Sequence, residues 1–362
     1  AGGDFDGNIA RFNAAGTQLL QHTYIGTGGW DEVYGIVLQG SSLYVTGDMD
    51  PGYNVLTPVV GFGGGLWDGF VARYSTTSPA IQAFTYFGGG GQEEGRGIGV
   101  DSSGNIYIAG KTNSTGLQLN TSTTFGGGAF DAFVMKMNGS FIRQYFLYLG
   151  GNQDVSTCGS GVFSCEEQGY KIAVTPDGIA YAVGRMVTFG TTANNSLGKN
   201  GAGDGDAFVV RVDTQGQILN YAYIGGSERD FAVGVAVDTA GTAYVSGYTR
   251  SADFPSIVGA SQQTRQGFDV FLIRLVPNNL RSSPSSHYGF HLMFATFFGG
   301  NADEGSTHIT ISQAGDVYFC GFVLQGGGQS VFPESQTGSI FSYGGGGLDA
   351  FVAKLAFSQV AI

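Results

Sequence analysis

The stretch GIGVDSSGNIYIAG, residues 97–110, decides the fold. It is a β-rich run, a polar turn of Asp, Ser, Gly and Asn, and a second β-rich run closing on glycine. Turn residues between two such runs are a hairpin signal. Four other stretches have the same form: GIVLQGSSLYVTG ending at Gly47, KIAVTPDGIAYAVG at Gly184, GVAVDTAGTAYVSG at Gly247 and HITISQAGDVYFCG at Gly321. The closing glycines at 47, 110, 184, 247 and 321 are 63, 74, 63 and 74 residues apart. The base period is therefore 63, lengthened in two units by insertions at residues 158–165 and 277–289, which should be surface loops.

Two further patterns recur between the hairpins. One is Asp-x-Phe followed by apolar residues and a base: DGNIAR from Asp6, DGFVAR from Asp68, DAFVMK from Asp131, DAFVVR from Asp206, DVFLIR from Asp269 and DAFVAK from Asp349. The first copy has Asn8 in place of the phenylalanine. The other is an aromatic strand ending in glycine, at Gly26, Gly89, Gly151, Gly226 and Gly300. An acidic cluster follows it: Asp31 and Glu32, Glu93 and Glu94, Glu166 and Glu167, Glu228 and Asp230, Asp303 and Glu304.

Each unit thus holds four strands, A and B of the hairpin, C of Asp-x-Phe and D ending in glycine. Strands apolar on both faces need cover on both. Such units stacked face to face make a β-propeller. The expected fold is all-β, a propeller of five blades of four antiparallel strands. One domain is expected over residues 1–362, with units at about 6–67, 68–130, 131–205, 206–268 and 269–348 and a closing strand at 349–362. The chain begins with C and D, runs through four full sets and ends with A, B and C. That makes six C strands but five of each other kind, so one terminal strand is surplus. Residues 1–12 and 349–362 are the two candidates, and a lone strand edge invites pairing with another chain.

Composition agrees with this reading. Glycine supplies 64 of 362 residues, aromatics 13% and charged residues 12%. That excludes disorder, and the lack of glycine at every third position excludes collagen. The net charge of −12, with 16 scattered Lys and Arg, leaves no basic patch for nucleic acid or an anionic membrane. No apolar run is long enough to span a bilayer. The start at Ala1, without Met, fits a mature secreted chain and equally a trimmed one.

Order and motifs together are very similar to the SBBP-type β-propeller repeat. The resemblance is carried by GIGVDSSGNIYIAG, FGGGAFDAFVMK and FLYLGG, and by the loop GYTRSADFP from Gly247. It implies a secreted or surface protein of a bacterium or archaeon. Unit three departs from the pattern through its cysteine loop, and the stretch from Gln325 to Ser330 through GGGQS.

Candidate chemistry is sparse. The repeated Asp6, Asp68, Asp131, Asp206, Asp269 and Asp349 tempt a reading as a carboxylate ring. A group that every unit carries more simply serves every unit, by accepting backbone N–H bonds. The acidic clusters are read as solvated loop charge, with calcium the sharper alternative. Asp48 and Asp50, and Asp204 and Asp206, are weak calcium candidates without the terminal Glu of a calcium loop. Cys158 and Cys165 flank a short loop and suit a disulfide in an oxidising compartment. Cys320 is read as a small buried hydrophobe. Asn113, Asn120, Asn138 and Asn194 open glycosylation triplets. His22, His287, His291 and His308 form no zinc-hydrolase pattern, and no nucleophile elbow or phosphate loop is present.

The sequence therefore reads as an extracellular structural protein that assembles with copies of itself, without catalytic residues or a cofactor. The alternative is a secreted module whose loops bind a glycan or a surface protein.

Overall fold

The computed structural model describes residues 5–53, 56–121, 123–151, 166–187, 196–198, 205–255, 267–278, 289–299, 303–324 and 347–355. Every regular element among them is a strand. The chain is a five-blade β-propeller whose A, B, C and D strands pair antiparallel. An N-terminal hairpin, β1 (Gly7–Phe12) and β2 (Leu19–Ile25), forms a two-stranded sheet. The first full blade is β3 (Asp31–Gln39), β4 (Ser42–Met49), β5 (Asp68–Ser75) and β6 (Ser78–Phe87). The second is β7 (Glu93–Val100), β8 (Ile106–Thr112), β9 (Asp131–Met137) and β10 (Arg143–Leu149).

The third sheet has an extra member. Its strands are β11 (Gln168–Val174), β12 (Ala180–Met186), β13 (Ser196–Gly198), β14 (Asp206–Val212) and β15 (Ile218–Gly225), ordered β11-β12-β14-β15-β13. β13 runs parallel to β15, with Leu197 beside Ile224. The sequence reading has four strands here, because three residues cannot show a period. The fourth blade is β16 (Asp230–Val237), β17 (Ala243–Thr249), β18 (Asp269–Pro277) and β19 (Phe290–Phe298). β20 (Glu304–Ile311), β21 (Val317–Leu324) and β22 (Leu348–Leu355) form a three-stranded sheet.

The chain divides into two compact units. One comprises residues 1–158, 165–178 and 214–217, and the other residues 159–164, 179–213 and 218–362.

Local chemistry explains the hairpins. In the β7–β8 turn, Asp101 Oδ1 accepts the N–H groups of Ser103 and Asn105, both at 2.9 Å. Gly104 supplies the positive φ of 78° that a side chain would resist. Asp238 repeats the arrangement with Ala240 and Thr242 at 2.9 and 2.8 Å.

A bulge recurs at one place in strand A. Register shifts between Val33 and Gly35, Gly95 and Gly97, Ala232 and Gly234, and Ser306 and His308. An extra residue there kinks the strand and strengthens its twist. It also presses the A-strand carbonyl of Glu32, Glu94, Phe231 or Gly305 onto the glycine that closes strand B. On its C-strand side that glycine meets the Asp-x-Phe ring, so the closing glycines exist for a close approach. Packing between blades then buries both faces. All seven residues of β9 are buried, as are all seven of β8. Phe133 stacks on Phe146 at 4.8 Å and touches Phe87 of the preceding blade edge-on at 5.9 Å. A Cβ on Gly97 would stand 2.8 Å from the Ile172 nitrogen of β11.

Candidate functional site

Three arrangements stand apart from routine packing. The first is at the chain ends. Four C strands, β5, β9, β14 and β18, are flanked by a B and a D strand. β22 is paired with β21 alone, and β1 with β2 alone, in the described sheets. Burial follows: β22 alternates exposed and half-buried along its whole length, and Val352 is 80% exposed. β1 and β2 expose Phe12, Leu19, Leu20 and Tyr24. β3 exposes Ile36 and Leu38, although the equivalent Ile98 of β7 is buried against Gly35 of the preceding blade. The six C strands expected from the sequence are all present.

The second arrangement pairs carboxyl groups at blade junctions. The Asp that opens strand C meets the acidic residue that opens strand A of the next blade, beside the glycine closing strand D. Asp6 and Asp31 meet at Gly26, Asp68 and Glu93 at Gly88, Asp131 and Glu167 at Gly150, and Asp206 and Asp230 at Gly225. At Gly150 an oxygen of each carboxyl lies 2.5 Å from the point where a Cβ would stand, which leaves room for hydrogen alone. Backbone N–H groups converge on these side chains. Asp68 accepts from Gly63, and Asp131 from Gly126 at 2.6 Å. Glu93 accepts from Gly89 at 3.0 Å, Glu167 from Gly151 at 3.1 Å and Asp230 from Gly226 at 2.9 Å. Burial is the main cause that pushes the carboxyls of Asp68 and Asp131 up to about 7. Asp269 lies beside Gly299 in the same way, while Asp349 stands half-buried opposite Val323.

The third arrangement is a charged network on the first three A strands. Strand alternation sends neighbouring acids to opposite faces. Glu93 goes to the junction pair and Glu94 to the network. Lys111 bridges Glu94 at 3.1 Å and Glu166 at 3.2 Å. Arg96 pairs with Glu94 at 2.7 Å, with its guanidinium 5.2 Å from the Tyr34 ring centre and 5.5 Å from that of Tyr170. The Tyr34 hydroxyl donates to Glu32. Asp48, opposite Glu32 in register, is pushed up to about 8 by burial and then by the charges of Glu94 and Glu32. A carboxyl so placed holds a proton near neutrality. The basic partners Arg96 and Lys111 carry no repeat signature, so the sequence reading passes over them.

The remaining expected positions are dispersed. Asp50 accepts the Trp30 N–H at 3.2 Å, so it serves the loop before β3. Asp204, Cys158, Cys165 and Asn194 lie outside the described residues. Among the described residues, no three His, Cys, Asp or Glu side chains gather as a metal would require. Cys320 is half-buried, not fully buried, with its Sγ 3.5 Å from the Thr307 hydroxyl. Asn113 accepts the Gln92 N–H at 2.6 Å, and Asn138 accepts from Ser140 and Ile142 at 3.0 Å each. Asn120 is exposed, at a φ of 55°.

Residues 84–118 and 221–255 match the family model of the SBBP β-propeller repeat. Both stretches are similar to that repeat. Each SBBP match runs from a D strand across the junction glycines into the next A–B hairpin, and so contains a junction carboxylate, Glu93 or Asp230. No curated protein matches the chain. Solved structures similar to it include the hydrazine synthase of Kuenenia stuttgartiensis, 12% identical at a TM-score of 0.45 over 88% of this chain and 70% of that one. A glucose dehydrogenase is 10% identical at a TM-score of 0.32, over 80% and 93%. The Hadza microbial sialidase Hz136 is 10% identical at 0.35, over 84% and 70%.

Proposed function

We propose that this chain is an extracellular structural subunit that assembles with copies of itself by strand addition. The observation that carries the reading is the open edge of β22. Every other C strand that follows a B strand has a D strand on its far side, whereas β22 has none in its described sheet. An open edge offers unpaired N–H and C=O groups to another chain. The strand type that completes it is that of β2, and a second copy carries one. β22 is firmly tied to its own sheet, because Phe351 packs against Gly321 as the Asp-x-Phe ring does in other blades. β1 has Asn8 at that place, so it is the looser of the two surplus strands. The exposed Leu348 and Val352 of β22 and the exposed Leu19 and Leu20 of β2 then become contact surface between copies.

Electron microscopy and sedimentation of the purified chain test this reading. The full chain forms polymers. Val352→Lys, which places a charge on an exposed edge position, shifts it to monomers, and so does deletion of residues 1–25, which removes β2. Assembly that both changes leave intact overturns the proposal. A monomer that binds a glycan array favours a binding module instead.

A further inference from the structure

At the junction between the first two full blades, two carboxyls face each other with too few donors. Asp68 and Glu93 are both fully buried, at 0% exposure. Glu93 is well supplied: Oε1 accepts the Thr112 hydroxyl at 2.6 Å and Oε2 the Gly89 N–H at 3.0 Å. Asp68 Oδ2 accepts the Gly63 N–H. Asp68 Oδ1 is buried without any donor, 2.6 Å from the point where a Cβ on Gly88 would stand, and Glu93 Oε2 closes on the same point. The two side chains are within hydrogen-bonding reach of each other. The other titratable groups facing the pair are the phenols of Tyr86 on β6 and Tyr148 on β10. Neither carboxyl has a lysine or arginine among its described partners, and the nearby Lys111 is held by Glu94 and Glu166. Two carboxylates cannot donate to each other, and an acceptor facing an acceptor in a buried site is strongly unfavourable.

We propose that Asp68 and Glu93 share one bound proton, carried on Asp68 Oδ1 and donated to Glu93 Oε2, so that the junction between the first two full blades is sealed by an acid–carboxylate hydrogen bond. Such charge-assisted O–H bonds are short and strong. The raised affinity of Asp68 for its proton, caused first by burial and opposed by the Gly63 N–H, agrees with this arrangement. Asp131 and Glu167 converge on Gly150 in a similar way one blade later, with Asp131 Oδ1 again buried without a donor. There the facing groups are the N–H of Gly126, the N–H of Gly151 and the phenol of Tyr148.

Asp68→Asn tests the bond, because a carboxamide donates an N–H to Glu93 as the acid does. Unfolding midpoints of the full chain are compared for wild type, Asp68→Asn and Asp68→Ala between about pH 4 and pH 9. The asparagine variant keeps above pH 7 the stability that wild type loses there, and its stability–pH slope falls by about one proton. The alanine variant is weaker at every pH. Glu93→Gln, which donates in the opposite direction, gives the same flattened profile. Should neither amide variant fold, infrared absorption by un-ionised carboxyl at about pH 6 is compared between wild type and Asp68→Ala; the band weakens in the variant by about one carboxyl, and an unchanged band overturns the proposal. An unchanged slope in the amide variants overturns it too. So does a wild type stabilised at high pH by calcium and weakened by a chelator, since a cation would then occupy the site.

Discussion

The ring of Phe133 lies 2.9 Å from the point where a Cβ on Gly110 would stand. The same contact joins Phe70 to Gly47 at 3.0 Å, Phe271 to Gly247 at 2.5 Å and Phe351 to Gly321 at 2.8 Å. With the bulged A-strand carbonyl pressing from the other side, the glycine is clamped between A and C. Gly110→Ala should therefore force a backbone shift that costs about 1–3 kcal/mol or more. Gly61, which has open space around it, is the control, and Gly61→Ala should stay within about 0.5 kcal/mol. Urea unfolding of both variants decides, and equal midpoints would refute the clamp.

A tyrosine on strand D ties down the loop after strand B. Tyr148 Oη donates to the Ser114 carbonyl at 2.7 Å and accepts the Leu117 N–H at 2.9 Å. Tyr86 does the same with Asp50 and Tyr53, both at 3.2 Å. Tyr148→Phe orphans a buried donor and acceptor, at roughly 1–3 kcal/mol. Hydrogen exchange at Leu117 should quicken in that variant while β9 stays protected.

Lys111 holds two carboxylates in a nearly dry setting, its side chain 9% exposed. Replacing it with Met leaves Glu94 and Glu166 without their shared cation. The expected loss is about 3–5 kcal/mol, the penalty for breaking a buried pair from one side. A double variant with Glu94→Gln should recover part of it, as read from denaturant midpoints.

Stability should fall as pH rises. Asp48, Asp68 and Asp131 are raised from 3.8 to about 8, 7 and 7 in the folded chain. Between those values and 3.8 the folded state binds more protons than the unfolded one. Folding is then favoured by acid, and the gain is lost as pH climbs through the folded values. Thermal midpoints should drop from about pH 4 to about pH 8 in wild type. A midpoint that climbs over this range would contradict the buried, protonated state of these side chains.

The hairpins, the four-strand unit and the six C strands are legible in the sequence because their causes are local. Asp101, Gly104 and the alternating runs around them settle their turn within a few residues, and repetition confirms the period. β13 escapes that reading because Ser196–Gly198 is too short to show a pattern and takes its place only from β15. The closing glycines are visible as a repeat, yet their purpose is not. The A-strand bulge and the Phe ring that demand them come from separate strands.

The acids divide the same way. The sequence by itself shows Glu93 beside Glu94 and a recurring Asp before Phe. Only the tertiary structure decides that Glu93 turns to Asp68 and Glu94 to Lys111. A buried charge takes its meaning from whichever group packing brings opposite it. Blade-on-blade contact chooses that group from residues as far apart as Lys111 and Glu166, a separation no local rule spans.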